Sequence, residues 1–276
     1  MSKDHETLDG FGRYGKPVSL GHGVYWVGFY DRTAHLHCNP YLIVEGDQAV
    51  LIDGGSRGDF PVVMLKIMQA GVDPAAVAAL VYQHYDPDLC GSLPNLLDIC
   101  DNPKLPVLSA RHNNAFIAFY CREVSKQHLV DVDDTGWEFL LGDRRLRFIH
   151  TPYAHSPGSF VTYDERSGIL FSSDLFGSFA TRWDLFIELN PACYECTTYD
   201  RCPAGRDYCP LPDIIDFHRK VFPCDRALHV AVERMGAVDP KIIAPQHGGI
   251  LRRPEDISFL LEYFSRMSGV GIDGVK

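Results

Sequence analysis

His84, Asp86 and Asp88 occupy alternate positions in the stretch HYDPDLCGSL, residues 84–93, and have the look of a metal-binding loop. Three residues of the same chemistry follow: His155 in TPYAHSPGSF, Asp174 in FSSDLFG and His247 in APQHGGI. Three imidazoles and three carboxylates are enough to hold two metal ions, provided that Asp174 bridges them. One histidine at a strand end is more often a hydrogen-bonding residue than a ligand, so it is the ordered set that favours ligation. Position 89, where one more histidine would complete the loop, holds leucine. His112, His128, His150, His218 and His229 match no motif and are expected to be structural or surface residues.

A second group is sulfur-based. Cys193, Cys196, Cys202 and Cys209 lie in CYECTTYDRCPAGRDYC with the spacing C-x2-C-x5-C-x6-C. Four thiolates this close in sequence can surround one tetrahedral zinc ion or an iron-sulfur cluster. Cys202 and Cys209 each precede proline, a pairing seen beside cluster ligands in bacterial ferredoxins, which favours the cluster over zinc. Free buried thiols or one disulfide are the remaining alternative. The other five cysteines, Cys38, Cys90, Cys100, Cys121 and Cys224, are scattered and read as packing residues.

The six oxygen and nitrogen donors need a scaffold, and the chain supplies one in strand-loop-helix units. GVYWVGFY, YLIVEG and AVLIDGG read as adjacent strands, and PVVMLKIMQAGV as a helix stopped by Gly71. AALVYQ reads as a buried strand that empties into the His84 loop, with a helix beginning in SLPNLLDIC. The candidate ligands thus sit at the carboxyl end of a strand, where layered α/β proteins build sites. LPVLSA is a further strand, followed by the mixed segment NNAFIAFYC. RLRFIHTP, SFVTYD and GILFSSD are strand-like, residues 213–235 are helical in pattern, KIIAPQHGGI is a strand running into a loop, and PEDISFLLEYFSRM is a closing helix.

A length of 276 residues with 46% hydrophobic and 22% charged residues suits one globular α/β domain over 1–276 with a substantial core. The one compositional break is the Cys- and Pro-rich stretch of about 190–212. A formal net charge of -10 argues against nucleic acid as a partner, because phosphate binding needs concentrated Lys and Arg. The polar N-terminus lacks an apolar signal core, and no run approaches the roughly 18 apolar residues of a membrane span. A cytoplasmic protein without membrane contact is the expectation.

Taken in order, HYDPDLCGSL, TPYAHSPGSF, FSSDLFG and APQHGGI resemble the metallo-β-lactamase fold, a four-layer αββα sandwich, over roughly residues 18–265. More narrowly, the chain is similar to the di-iron domain of flavodiiron proteins and their stand-alone oxygen-binding relatives. Hydrolases of this superfamily read H-x-H-x-D-H, whereas the di-iron branch reads H-x-E-x-D-H; Asp86 puts a carboxylate at the deciding position. Hard anionic oxygen donors suit iron, and imidazole-rich sites suit zinc.

The resemblance implies one iron bound by His84, Asp86 and His155 and another by Asp88 and His247, with Asp174 shared. Leu89 then leaves the second iron with open positions where a diatomic molecule could bind. TAHLHCNPYLI lies near the metals in relatives, so His35 or His37 is a candidate to fill that gap. The implied function is binding or reduction of O2 or NO, as a sensor or an oxidoreductase. Electrons or signals would pass to or from an external partner, since no flavodoxin-like FMN domain fits after the closing helix. The Cys-rich stretch departs from the family pattern and is a candidate electron relay. Relatives tend to form head-to-tail dimers, which makes a homodimer a further expectation. The alternative is a zinc or iron hydrolase in which a metal-bound hydroxide attacks an ester, lactone or phosphodiester.

Overall fold

The apolar runs of the first half become one seven-stranded sheet whose strands lie in sequence order: β1 (Val18–Gly21), β2 (Val24–Trp26), β3 (Tyr41–Glu45), β4 (Gln48–Ile52), β5 (Val77–Val81), β6 (Val107–Ser109) and β7 (Leu129–Asp131). The structure, a computed structural model, describes residues 14–29, 37–121, 123–179, 182–196, 202, 205 and 207–275. β1 to β4 pair antiparallel, whereas β4 to β7 pair parallel. Parallel neighbours need crossovers. They are made by α1 (Phe60–Gln69), by α2 (Pro87–Cys90) with α3 (Leu93–Cys100), and by α4 (Arg111–Ile117), into which the mixed segment NNAFIAFYC partly folds.

The second half makes the other sheet from β8 (Glu138–Leu141), β9 (Arg144–His150), β10 (Phe160–Asp164), β11 (Ile169–Phe171), β12 (Phe186–Ile187), β13 (Ile242–Ala244) and β14 (Ile250–Leu251), in the order β12-β14-β13-β11-β10-β9-β8. β11 pairs parallel with β13. Between them the chain passes through α5 (Pro191–Tyr194), α6 (Leu211–Val221) and α7 (Asp225–Gly236); α8 (Pro254–Ser265) follows β14. Among the described residues no helix is long and apolar enough to cross a membrane.

Alternation along each strand decides which side chains meet. Ile43 and Val50 join Trp26, Phe148, Phe160 and Phe171 in a cluster between the sheets. Their chain neighbours Leu42 and Leu51 pack instead with Val63 and Ile67 of α1 and Leu93 and Leu96 of α3. On the second sheet, Val161, Leu170 and Ile243 pack with Ile214 and Phe217 of α6, Leu228 of α7 and Phe264 of α8. Strands covered on both faces read as continuous apolar runs, which is why YLIVE and ILF lack a polar face.

Residues 213–235 do not form one helix. α6 stops at Val221 and α7 starts at Asp225, with Pro223 between them. Proline offers no N–H to the helix and pushes the residue before it out of helical conformation; Phe222 is extended at φ -82°, ψ 144°.

The break places His218, on the last turn of α6, in the second sheet's core. It is fully buried, and its ring stacks between Phe222 and Phe264. Nδ1–H donates to the Ile214 carbonyl at 2.7 Å, and Nε2 accepts the Phe176 N–H at 2.9 Å. Phe176 is two residues past Asp174, so this imidazole fastens the Asp174 loop to α6. Burial drives the His218 pKa down to about 4, from 6.5. In the range between those values the unfolded chain takes up a proton that the folded chain refuses, so stability present above pH 6.5 is lost as pH falls towards 4. We expect an apo-protein stability loss of up to about 3 kcal/mol from this group across that range. Urea titrations at stepped pH, on wild type and H218Q, check it: the variant should be less stable near neutrality and show a shallower acid slope.

Candidate metal centre

β5 ends at Val81 and delivers the chain to His84, Asp86 and Asp88. Pro87 opens α2 and holds the residue before it extended, so Asp86 stands at φ -70°, ψ 153° while Asp88 falls in the first helical turn. Leu89 shares that turn but is fully buried in the apolar cluster of α1 and α3.

His155 lies in the loop between β9 and β10. Asn113 of α4 donates from Nδ2 to the Gly158 carbonyl at 2.8 Å, and a Cβ at Gly158 would come within 2.5 Å of Asn113 Oδ1. Only glycine fits that approach. Asp174 follows β11 and His247 follows β13; Gln246 N–H donates to the Ser173 carbonyl at 2.7 Å, tying the two loops together.

The six donors converge. His84, Asp86 and His155 form one group whose ligand atoms all lie within 4.8 Å of one another. Asp88 and His247 form a second such group, and its third member is Cys38. Asp174 lies between them. Its Oδ2 is 3.0 Å from His155 Nε2, and its Oδ1 is 3.7 Å from His84 Nε2 and 3.6 Å from His247 Nε2. His155 Nε2 is 3.3 Å from Asp86 Oδ2, and His247 Nε2 is 3.1 Å from Asp88 Oδ2.

Donors each about 2.1 Å from a shared ion are separated from one another by about 3 to 3.5 Å, so these spacings suit metal ligation. The hydrogen bonding supports the same conclusion. His247 Nδ1–H donates to the His37 carbonyl at 2.8 Å, which turns Nε2 towards Asp88 and Asp174. His84 uses Nδ1 with Ser173 Oγ at 2.9 Å. Backing of one ring nitrogen is how metal-bound histidines are oriented. His84 Nε2 and Asp174 Oδ1 are buried with no hydrogen-bond partner, the condition expected of atoms meant for a cation.

The electrostatics are those of buried carboxylates set among imidazoles. Burial alone would raise the Asp174 carboxyl, but the His84, His247 and His155 imidazoles hold it well below the usual carboxylate range. Burial would lower His155, yet hydrogen bonds to Asp174 and Asp86 raise it to about 10. His247 is raised against burial by Asp174 and Asp88, and Asp88 is lowered against burial by its hydrogen bond to His247. His84 moves down, with burial outweighing the nearby carboxylates. Beneath the site, Asp53 is raised to about 7 by burial, although Gln83 N–H and Nε2 both donate to it at 3.1 Å.

Cys38 departs from its sequence reading as a packing residue. Its Sγ lies 4.0 Å from Asp88 Oδ2. No local motif marks it, because it is 50 residues from Asp88 in the chain. His35 lies outside the described residues; His37 is buried, with its ring stacked on Trp183 at 4.9 Å. Among the described residues, His37 is not a member of the three-residue group at Asp88.

None of the four cysteines of the Pro-rich stretch belongs to either three-residue group. Cys193 is buried in α5, and Cys196, Cys202 and Cys209 are half-buried. Burial raises the Cys209 thiol against the backbone hydrogen bond from Leu211, and Cys193, Cys202 and Cys196 raise it further, which sets those three within electrostatic reach of Cys209. Among the described residues, no three of these sulfurs lie within 4.8 Å of one another.

Known proteins share this architecture. An uncharacterized protein of Methanocaldococcus jannaschii is 25% identical over 258 residues, covering 90% of this chain and 60% of its own length. A nitric oxide reductase of Moorella thermoacetica is 26% identical over 269 residues, 91% of this chain and 61% of its own length. The chain therefore spans about three fifths of these curated relatives. A solved structure described as a peroxy diiron species of the chemotaxis sensor ODP superposes with a TM-score of 0.74 at 25% identity, covering 94% of this chain and 97% of that one. The fold is the metallo-β-lactamase-like α/β sandwich, homologous to flavodiiron proteins and to stand-alone di-iron sensors. A family model described as "ODP family beta lactamase" matches residues 36–248, well over half of the sequence, and the chain belongs to that family.

Proposed function

We propose that this chain is a single-domain non-haem di-iron protein that binds O2 or NO, acting as a sensor or as an oxidoreductase supplied with electrons by a separate donor. The observation that carries the reading is Asp174, a buried carboxylate with an oxygen facing each three-residue group. Two bound irons would supply coordination positions and electrons for a diatomic gas. His84, Asp86 and His155 would hold one and Asp88 and His247 the other, with Asp174 shared. The carboxylate at Asp86 favours iron over zinc. Side-chain exposures of 34% for Asp86, 24% for Asp88 and 19% for His155, against 5% for Asp174, leave both groups open to a small molecule. The helices covering both outer sheet faces support a four-layer αββα arrangement.

Anaerobic purification with iron should yield two irons per chain at this centre, and O2 or NO titration should change the visible spectrum. D174A should lose at least one iron. Two zinc ions with esterase activity, and no spectral response to either gas, would replace this reading with hydrolysis. Because carboxylates hold His155 protonated up to about pH 10, a cation must displace protons to bind. Metal affinity should therefore rise with pH in that range, with proton release on loading measurable by calorimetry in buffers of different ionisation enthalpy.

We further propose that Cys193, Cys196, Cys202 and Cys209, in an insertion at about 190–212, hold an iron-sulfur cluster that relays electrons. The electrostatic influence of Cys193, Cys196 and Cys202 on Cys209 supports it. Acid-labile sulfide should be present in oxygen-free protein and absent from a C196S/C202S variant that retains the two other irons. Zinc without sulfide would exclude the cluster.

A further inference from the structure

We propose that Cys38 is a thiolate ligand of the metal held by Asp88 and His247, taking the coordination place left without an imidazole by Leu89. The inference rests on the dinuclear reading above and deepens it. A leucine buried in the outer apolar cluster cannot donate to a cation, whereas Cys38 Sγ belongs to the same group of ligand atoms as Asp88 and His247, all within 4.8 Å.

The position of the sulfur is fixed from both sides along the chain. The preceding residue accepts the His247 Nδ1–H through its carbonyl at 2.8 Å. The following residue, Asn39, is fully buried and donates from Nδ2 to the Pro245 and Gly248 carbonyls at 3.0 and 2.8 Å; its own N–H donates to the Gln246 carbonyl at 2.8 Å. Trp26 Nε1 donates to Asn39 Oδ1 at 2.8 Å and locks that amide's orientation. Cys38 is thus carried on a segment stitched to the His247 loop rather than on a free turn. An independent feature points to a cation at the same place. Asp174 Oδ1 has no hydrogen-bond partner, its side chain is only 5% exposed, and it lies 3.6 Å from His247 Nε2.

Ligation exchanges an S–H bond for a sulfur-metal bond, and the proton leaves to solvent. The two metal positions would then differ in kind. His84, Asp86 and His155 offer only nitrogen and oxygen, while the second position gains a soft donor that pushes electron density onto its metal, as thiolates do elsewhere.

Cobalt(II) tests this without reliance on activity. The apo full-length chain and its C38S and C38A variants are titrated with Co(II) under anaerobic conditions, with bound metal counted and near-ultraviolet absorption recorded. Any signal from the four-cysteine stretch is common to all three proteins and cancels in the difference. The expected result is a thiolate-to-cobalt charge-transfer band in wild type minus C38S, with the second ion at the Asp174 centre bound at least about tenfold more weakly by both variants. Binding at the first position and melting of the apo protein should be unchanged. A flat difference spectrum with both ions bound overturns the cysteine ligand but leaves the dinuclear centre standing. Wild-type protein that takes no pair of ions at the Asp174 centre overturns both.

Discussion

A carboxylate buried among three imidazoles is the constraint from which the rest follows. Asp174 cannot stay ionised inside a protein without positive charge close by. The structure meets that need by bringing His155 and His247, whose pKa values are raised, to 3.0 and 3.6 Å from it, and it adds His84 from the end of the other sheet at 3.7 Å. The tethers around the site serve this convergence. His218 holds the Asp174 loop to α6, Gln246 holds it to the His247 loop, and Asn113 holds the His155 loop to α4. The same convergence brings together two groups of three residues that could each hold a metal ion, one on either side of Asp174.

Much of this was legible in the residues themselves. Strand ends marked by turn residues located His84, Asp86, Asp88, His155, Asp174 and His247, because loops after strands are where polar side chains can leave an apolar run. Strand alternation and the strand-loop-helix order likewise gave the sheet-forming segments. What the sequence hid was set by long-range contact. Cys38 has no ligand near it in the chain and looks like an ordinary small hydrophobe until folding sets it beside Asp88. The helical periodicity over 213–235 runs unbroken through Pro223, so apolar spacing suggested one helix where backbone chemistry requires two. His218 matched no motif because its partners, the Phe176 N–H and the Ile214 carbonyl, are backbone groups with no side-chain signature.

The two three-residue groups differ in donor chemistry and not in burial. Each has one buried and two half-buried members, but one consists of nitrogen and oxygen donors and the other includes a sulfur. That asymmetry starts from Leu89, which gives its side chain to the apolar cluster of α1 and α3 rather than to a cation. Packing and ligation compete for the same turn of chain in α2, and packing has taken this position.

Each three-residue group draws two members from the first sheet's half of the chain and one from the second: His84 and Asp86 with His155, and Cys38 and Asp88 with His247. Asp174 also comes from the second half. A nascent chain that has folded only its leading sheet can therefore offer no more than two of these side chains to any ion. Neither group is complete until the two sheets dock, so the candidate centre exists only in the finished sandwich.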